Sequence, residues 1–146
     1  MKTLMWLMGV VQIPMIAYVR PRLMHIDSTK AVVKIRLRRR TKNHLKSMYF
    51  GALAVGADVA AGIHAYYFAK QTNAKISFAF KSVKGEFLKR PMHDVIFESS
   101  DGAIVEKAFE QALTSKERVN QWVKVNATSN GELVAQFDME ISVKVK

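Results

Sequence analysis

One carboxylate stands out for the company it keeps. Asp58 is the single acid in the stretch from Asn43 to Ala69, which from Met48 onward is almost entirely apolar or small. A run of roughly 22 such residues makes a helix about 33 Å long, and a helix that is hydrophobic nearly all round is buried on most sides. An ionisable group inside it is costly unless it is paired or used. Asp58 therefore has two kinds of role open to it. It can act on a substrate as a base or nucleophile, or it can cap a neighbouring loop or bridge two central helices of a dimer. Helical spacing puts Gly51, Val55, Asp58 and Gly62 on one face. Gly51, Ala54, Ala57, Ala61 and Ala65 form an adjacent small-residue stripe against which a sheet or second helix can pack closely. Ser47 is the expected N-cap.

Other chemistries are excluded or left without support. The chain has no cysteine, which removes thiolate metal sites and a cysteine nucleophile. His25, His64 and His93 lack metal-ligand spacing and read as structural. The eight methionines are scattered and suit gap-filling in a core. There is no phosphate-cradling glycine loop, nucleophile elbow or zinc motif, so no cofactor is implied. The sequon Asn126-Ala127-Thr128 falls within an expected strand and is discounted.

Charge is unevenly placed. The net +11 arises wholly in residues 1–75, where 13 Lys/Arg face only Asp27 and Asp58; the second half is neutral, ten against ten. Eight of the 17 residues from Lys30 to Lys46 are basic and none is acidic. Such a field favours an anionic partner, whether nucleotide, nucleic acid or lipid headgroup, or else it is a solvated basic edge. Nucleic acid is the least favoured, because no aromatics interleave the cations before Tyr49 and no recognised module is present. Arg39, Arg40, Lys42 and Lys84 are the candidates for phosphate contacts, arginine through its two-pronged fork.

The elements that must position these residues follow from periodicity. The 146 residues fit one domain, 1–146, with a real core. Thr3 to Val19 is uncharged and has the profile of a signal peptide or anchor. No small-x-small cleavage site follows it, and it is short for a spanning helix. A helix over residues 1–19, packed on the domain and broken near Pro14, is expected ahead of a membrane role. Leu23–Asp27 reads as a strand, Asp27–Lys30 as a turn, and Val33, Ile35 and Leu37 alternate with Lys34, Arg36 and Arg38 as a half-buried strand. After the long helix, Ile76–Phe80 begins a strand that Val83–Leu88 continues or pairs with. Met92–Glu98 follows as a strand, then a turn, and a short helix from Asp101 or Gly102 with Ile104, Ala108 and Ala112 lining one side. Arg118–Thr128, with Val119, Trp122, Val123 and Val125 as its apolar content, is joined through Asn130-Gly131 to a long strand. That last strand, Leu133 to Val145, has Leu133, Ala135, Phe137, Met139, Ile141, Val143 and Val145 on one parity.

The order of elements and the start of the long helix together carry a resemblance. The chain resembles the hotdog-fold thioesterase superfamily, in particular the phenylacetyl-CoA thioesterase-like group and an uncharacterised neighbouring family. That group has an Asn in the loop, a His-Gly-Gly-type turn six residues on, and an acid nine beyond the His. Here Asn43 matches the Asn, Tyr49-Phe50-Gly51 occupies the turn, and Asp58 falls on the acid. Arg38 to His44 looks like the uncharacterised branch. The resemblance implies an α+β hotdog fold, an antiparallel sheet wrapped around a long central helix. It also implies hydrolysis of an acyl-CoA, with coenzyme A as part of the substrate rather than a cofactor. The Gly51 amide would face the thioester oxygen, helped by the helix N-terminus. Asp58 would serve as base or nucleophile across a subunit interface, and Asn43 would position water or the carbonyl. Tyr49 and Phe50 depart from the pattern; the Tyr49 hydroxyl could still donate a hydrogen bond. His44 caps or packs in the loop on this reading. A dimer or dimer of dimers is implied, in the cytoplasm or peripheral to a membrane. The alternative is a non-catalytic acyl- or lipid-binding hotdog protein on anionic membrane surfaces.

Overall fold

The structure, a computed structural model, describes residues 12–146. The expected N-terminal helix up to residue 11 lies outside them. Its remainder is a short helix, α1 (Pro14–Val19), with Pro14 in the first turn. Proline is tolerated there because that N–H would have no helical partner anyway, so Pro14 opens this helix.

Then come strands β1 (Arg22–Ile26) and β2 (Ala31–Ile35), a 3-10 turn (Arg39–Thr41), and the central helix α2 (Phe50–Gln71). Strands β3 (Ile76–Phe87) and β4 (Val95–Ser99), helix α3 (Gly102–Ser115), and strands β5 (Val119–Ser129) and β6 (Glu132–Val145) complete the chain. The six strands form one sheet in the order β1-β2-β4-β5-β6-β3, every neighbouring pair antiparallel. The sheet wraps α2, and α3 lies beside α2 on β5 and β6.

The core explains why α2 is apolar all round. Ala57, Ala60, Ala61 and Ala65 are fully sealed, and the sheet supplies Val33, Ile35, Val95, Phe97, Val125 and Ile141 against them. The helix is long and apolar enough to cross a bilayer, but 78% of its apolar window is buried inside the domain; it is the core helix. Close approach is set at Gly56, where an added Cβ would overlap the Phe97 ring of β4. Thr72 ends the helix, its hydroxyl donating to the Phe68 carbonyl at 3.0 Å, and Asn73 turns the chain at φ 52°.

Of the two arrangements expected after Phe80, the strand continues, as far as Phe87, around a register shift between Phe80 and Ser82. Other details depart from the sequence expectations. β4 begins at Val95, since Pro91 and the residues up to Asp94 form its approach. On α3 the inner side is Val105, Ala108, Phe109 and Ala112, and Ile104 is exposed. Trp122 also faces solvent. Leu133 is exposed because a bulge between Ala127 and Thr128 shifts the β5–β6 register and seats Val134 in the core. An inserted residue reverses the side-chain parity beyond it.

Candidate active site

The loop before α2 is closed by Asn43. Its Oδ1 accepts from the Leu45 N–H at 2.9 Å and the Ser47 N–H at 3.1 Å, and its Nδ2 donates to Ser47 Oγ at 2.9 Å. Ser47 is buried and spent on this loop, so it does not cap α2. The cap position belongs to Tyr49, whose backbone is extended and whose side chain makes no cap bond. The Tyr49 N–H donates to the Thr41 carbonyl at 2.8 Å, and the Thr41 hydroxyl donates to the Arg36 carbonyl at 2.8 Å. The basic segment and the helix start are thereby fixed to each other.

With no capping side chain, the Phe50 and Gly51 N–H groups find no acceptor among the described residues. They are the unfilled donors of a 22-residue helix, where the positive end of the helix field lies. The Tyr49 ring folds back over Gly51, so a Cβ there would come within 2.5 Å of Tyr49 Cε1. This is a second reason for glycine at that position, besides the one the resemblance implies. Phe50 continues an aromatic row, with ring centroids 4.8 Å from Tyr49 and 6.3 Å from Phe87, which in turn sits 5.8 Å from Phe137.

A cleft of about 490 Å³ opens beside this row, with Asn43, Tyr49, Phe50 and Leu53 on one wall and Phe87 and Leu88 on the other. Arg90, His44 and Lys89 also line it, Lys89 being paired to Glu132 at 3.1 Å. An apolar slot edged by cations suits an amphiphile with an anionic head. Lys89 and Arg90 were not among the sequence candidates; the signal was a Lys-Arg-Pro step directly after an apolar strand end. Of those candidates, Asn43 and Tyr49 line the cleft, while Gly51 lies behind Phe50 and Asp58 is not on the cleft wall. Arg39 and Arg40 line a different depression with Arg38 and Tyr18. Lys42 is exposed and bridges Met48 through its backbone, and Lys84 stands on β3 opposite Asp138.

Asp58 sits half-buried on α2, on the side that carries Gly62 and Tyr66, both of which meet Phe78 of β3. It forms no ion pair or hydrogen bond among the described residues, and burial alone pushes its carboxyl up to about 6. The same burial, with the charge of Asp58 added, raises the Tyr66 phenol. The three other histidines sit apart from this site. His64 is sealed and neutral-favouring, its Nε2 3.0 Å from the Asp27 carbonyl and its Nδ1 without a partner. His25 pairs with Asp27 at 2.7 Å, and His93 is exposed. No cluster of metal-ligating side chains occurs among the described residues.

Within one chain, Gly51 and Asp58 are seven residues apart on the same helix. At 1.5 Å per residue that is about 10 Å along the axis, too far for one carboxylate to act on a group held at the Gly51 amide, since reacting atoms need roughly 3–3.5 Å.

Comparison with known proteins agrees with this architecture. A family model described as a domain of unknown function, DUF4442, matches residues 2–143. No curated protein matches the sequence. Among solved structures, a protein of unknown function from Chlorobaculum tepidum superposes with a TM-score of 0.86 at 10% identity, covering 99% of this chain and 94% of that one. A thioesterase of Haemophilus influenzae gives 0.74 at 9% identity, covering 97% and 88%. A mutant thioesterase of Pseudomonas aeruginosa gives 0.76 at 11% identity, covering 100% and 95%. The fold is that of the hotdog thioesterases.

Proposed function

For a chain that belongs to the DUF4442 family, a domain of unknown function matched over residues 2–143, and that has the hotdog fold, we propose hydrolysis of an acyl-CoA thioester by a homodimer or dimer of dimers. The observation that carries this reading is the pairing of two unsatisfied features at the motif positions: the open amides of Phe50 and Gly51, and the partnerless, half-buried Asp58. The amides would hold the thioester oxygen as it gains negative charge. The acyl chain would lie along Leu53, Phe50 and Phe87, with the coenzyme phosphates against Lys89 and Arg90 at the cleft edge rather than at Arg39, Arg40, Lys42 or Lys84. Asn43, with one Nδ2 hydrogen still free of the loop, would orient the water or the carbonyl.

The base would come from a second copy. Seven helical residues separate Gly51 from Asp58 in one chain, so the partner subunit's Asp58 would take the proton from water as it attacks the carbonyl carbon. The coenzyme thiol would then leave with that proton. β3 supports the dimer. It is a 12-residue edge strand, and long open edges are ordinarily covered. Val83 and Phe87 lie opposite Met139 and Ala135 on the inner face, yet are 62% and 53% exposed.

The test is release of coenzyme thiol from acyl-CoAs of graded chain length by wild type and Asp58→Ala. Turnover in wild type and its loss in the variant support the reading. Equal rates would remove Asp58 from the chemistry. Saturable acyl-CoA binding without turnover in wild type would favour the non-catalytic acyl-binding reading, for which the aromatic Tyr49 and Phe50 at the motif positions are the supporting observation.

A further inference from the structure

A second surface is built from the basic segment, and it does not depend on the thioester reading. Ten cations lie between Arg20 and Lys46, and the only acid among them is Asp27. That acid is already spent: His25, the Thr29 N–H and hydroxyl, and the Lys30 N–H all bond to its carboxylate. Lys30 and Lys34 are paired to Glu98 and Asp94 at 3.1 and 3.6 Å. Arg20, Arg22, Arg36, Arg38, Arg39 and Arg40 have no carboxylate within 4.0 Å among the described residues. Six unpaired guanidinium groups in one segment are a strong local field.

The apolar residues beside them are turned the unusual way. α1 is fastened to the domain by Ile16 and Val19, both buried, while Met15 and Tyr18 point outward at 69% and 62% exposure. On the neighbouring edge strand Met24, the extra residue of the β1 irregularity, is 56% exposed next to Arg22. Tyr18 meets Arg38, Arg39 and Arg40 around a depression of about 510 Å³. A face of methionine and tyrosine rimmed by arginine has no purpose toward water. It matches a bilayer interface, where tyrosine and apolar side chains enter the headgroup boundary and cations meet lipid phosphates.

We infer that α1, the β1 edge and the Arg38–Arg40 turn form a docking surface for an anionic lipid bilayer. Nucleic acid fits less well. A phosphate rail would leave Met15 and Met24 uncovered, and Tyr18 is one aromatic where strand binding uses several for stacking.

The test is sedimentation of the full chain with vesicles of equal parts phosphatidylcholine and phosphatidylglycerol, against phosphatidylcholine alone. Binding to the anionic vesicles only, weakened but not abolished by moderate salt, is expected. Each arginine near such a surface contributes about a five-fold factor, so Arg39→Ser with Arg40→Ser should weaken partition by roughly 25-fold. Arg39→Lys with Arg40→Lys should restore it, which separates charge from misfolding. Met15→Ser with Tyr18→Ser should remove the salt-resistant part, and Lys107→Ser on α3 should change nothing. No partition at low salt, equal binding to both vesicles, or full displacement by duplex DNA at matched charge would overturn the inference.

Discussion

Asp58 carries opposite consequences for stability and chemistry. Its carboxyl titrates near 6 in the folded chain against an ordinary value of 3.8. Below about pH 3 both states hold the proton and burial costs nothing; as pH rises to 6 the unfolded chain ionises first, and well above 6 the cost is complete, about 3 kcal/mol. Asp58→Asn should therefore be more stable than wild type by up to about 3 kcal/mol at neutral pH, with no difference near pH 3, in urea titrations at each pH. His64 has the opposite sign. Desolvation lowers its pKa from 6.5, so its contribution is present above that value and is lost as pH falls below it. His64→Gln should flatten the loss of stability on the acid side of pH 6.5, visible in thermal midpoints against pH. Asp58 was conspicuous in the sequence because a lone charge in an apolar helix is rare. The restraint of Asn43 by Ser47 was not visible, because a loop bond between two polar residues leaves no periodic trace.

Elements were legible where a period ran uninterrupted. The 22 residues of α2 and most of β6 emerged from pattern alone, and Asn130-Gly131 marked the hairpin correctly, both residues at positive φ. Misses arose where one inserted residue altered the period, as at Leu133, or where amphipathicity was read one position off, as at Ile104. The contact between α2 and β4 depends on Gly56 lying under the Phe97 ring. Gly56→Ala should cost about 1–3 kcal/mol by overpacking, measured by chemical denaturation, and Phe97→Leu in that background should recover part of it. At the other edge, β3 leaves Val83 and Phe87 open on its inner face. If the proposed dimer forms through this edge, analytical ultracentrifugation should give a dimer for wild type and a monomer for Val83→Lys, with the circular dichroism spectrum retained; equal masses for the two would mean that this edge is not an interface.

For the molecule as a whole, sequence reasoning placed the fold more securely than the site. Element order is set by local pattern, whereas the cleft joins the Asn43–Leu53 segment to Phe87–Pro91, and nothing in periodicity announces that Lys89 and Arg90 line the same cleft as Tyr49. Nor does periodicity announce that Arg38, Arg39 and Arg40 gather around Tyr18, apart from that cleft. Gly51 and Asp58 lie about 10 Å apart along one helix, and on the proposed reading a second subunit, meeting the first at the open β3 edge, would bring the two features together. The central claim is that Asp58, ionised, acts on a thioester held at the start of α2. The most direct measurement is kcat/KM for acyl-CoA hydrolysis against pH for wild type and Asp58→Asn. Wild-type activity should rise as pH increases through about 6 and then level, and the variant should lose roughly 100-fold or more across the range. A flat wild-type profile together with an unimpaired Asp58→Asn would contradict it.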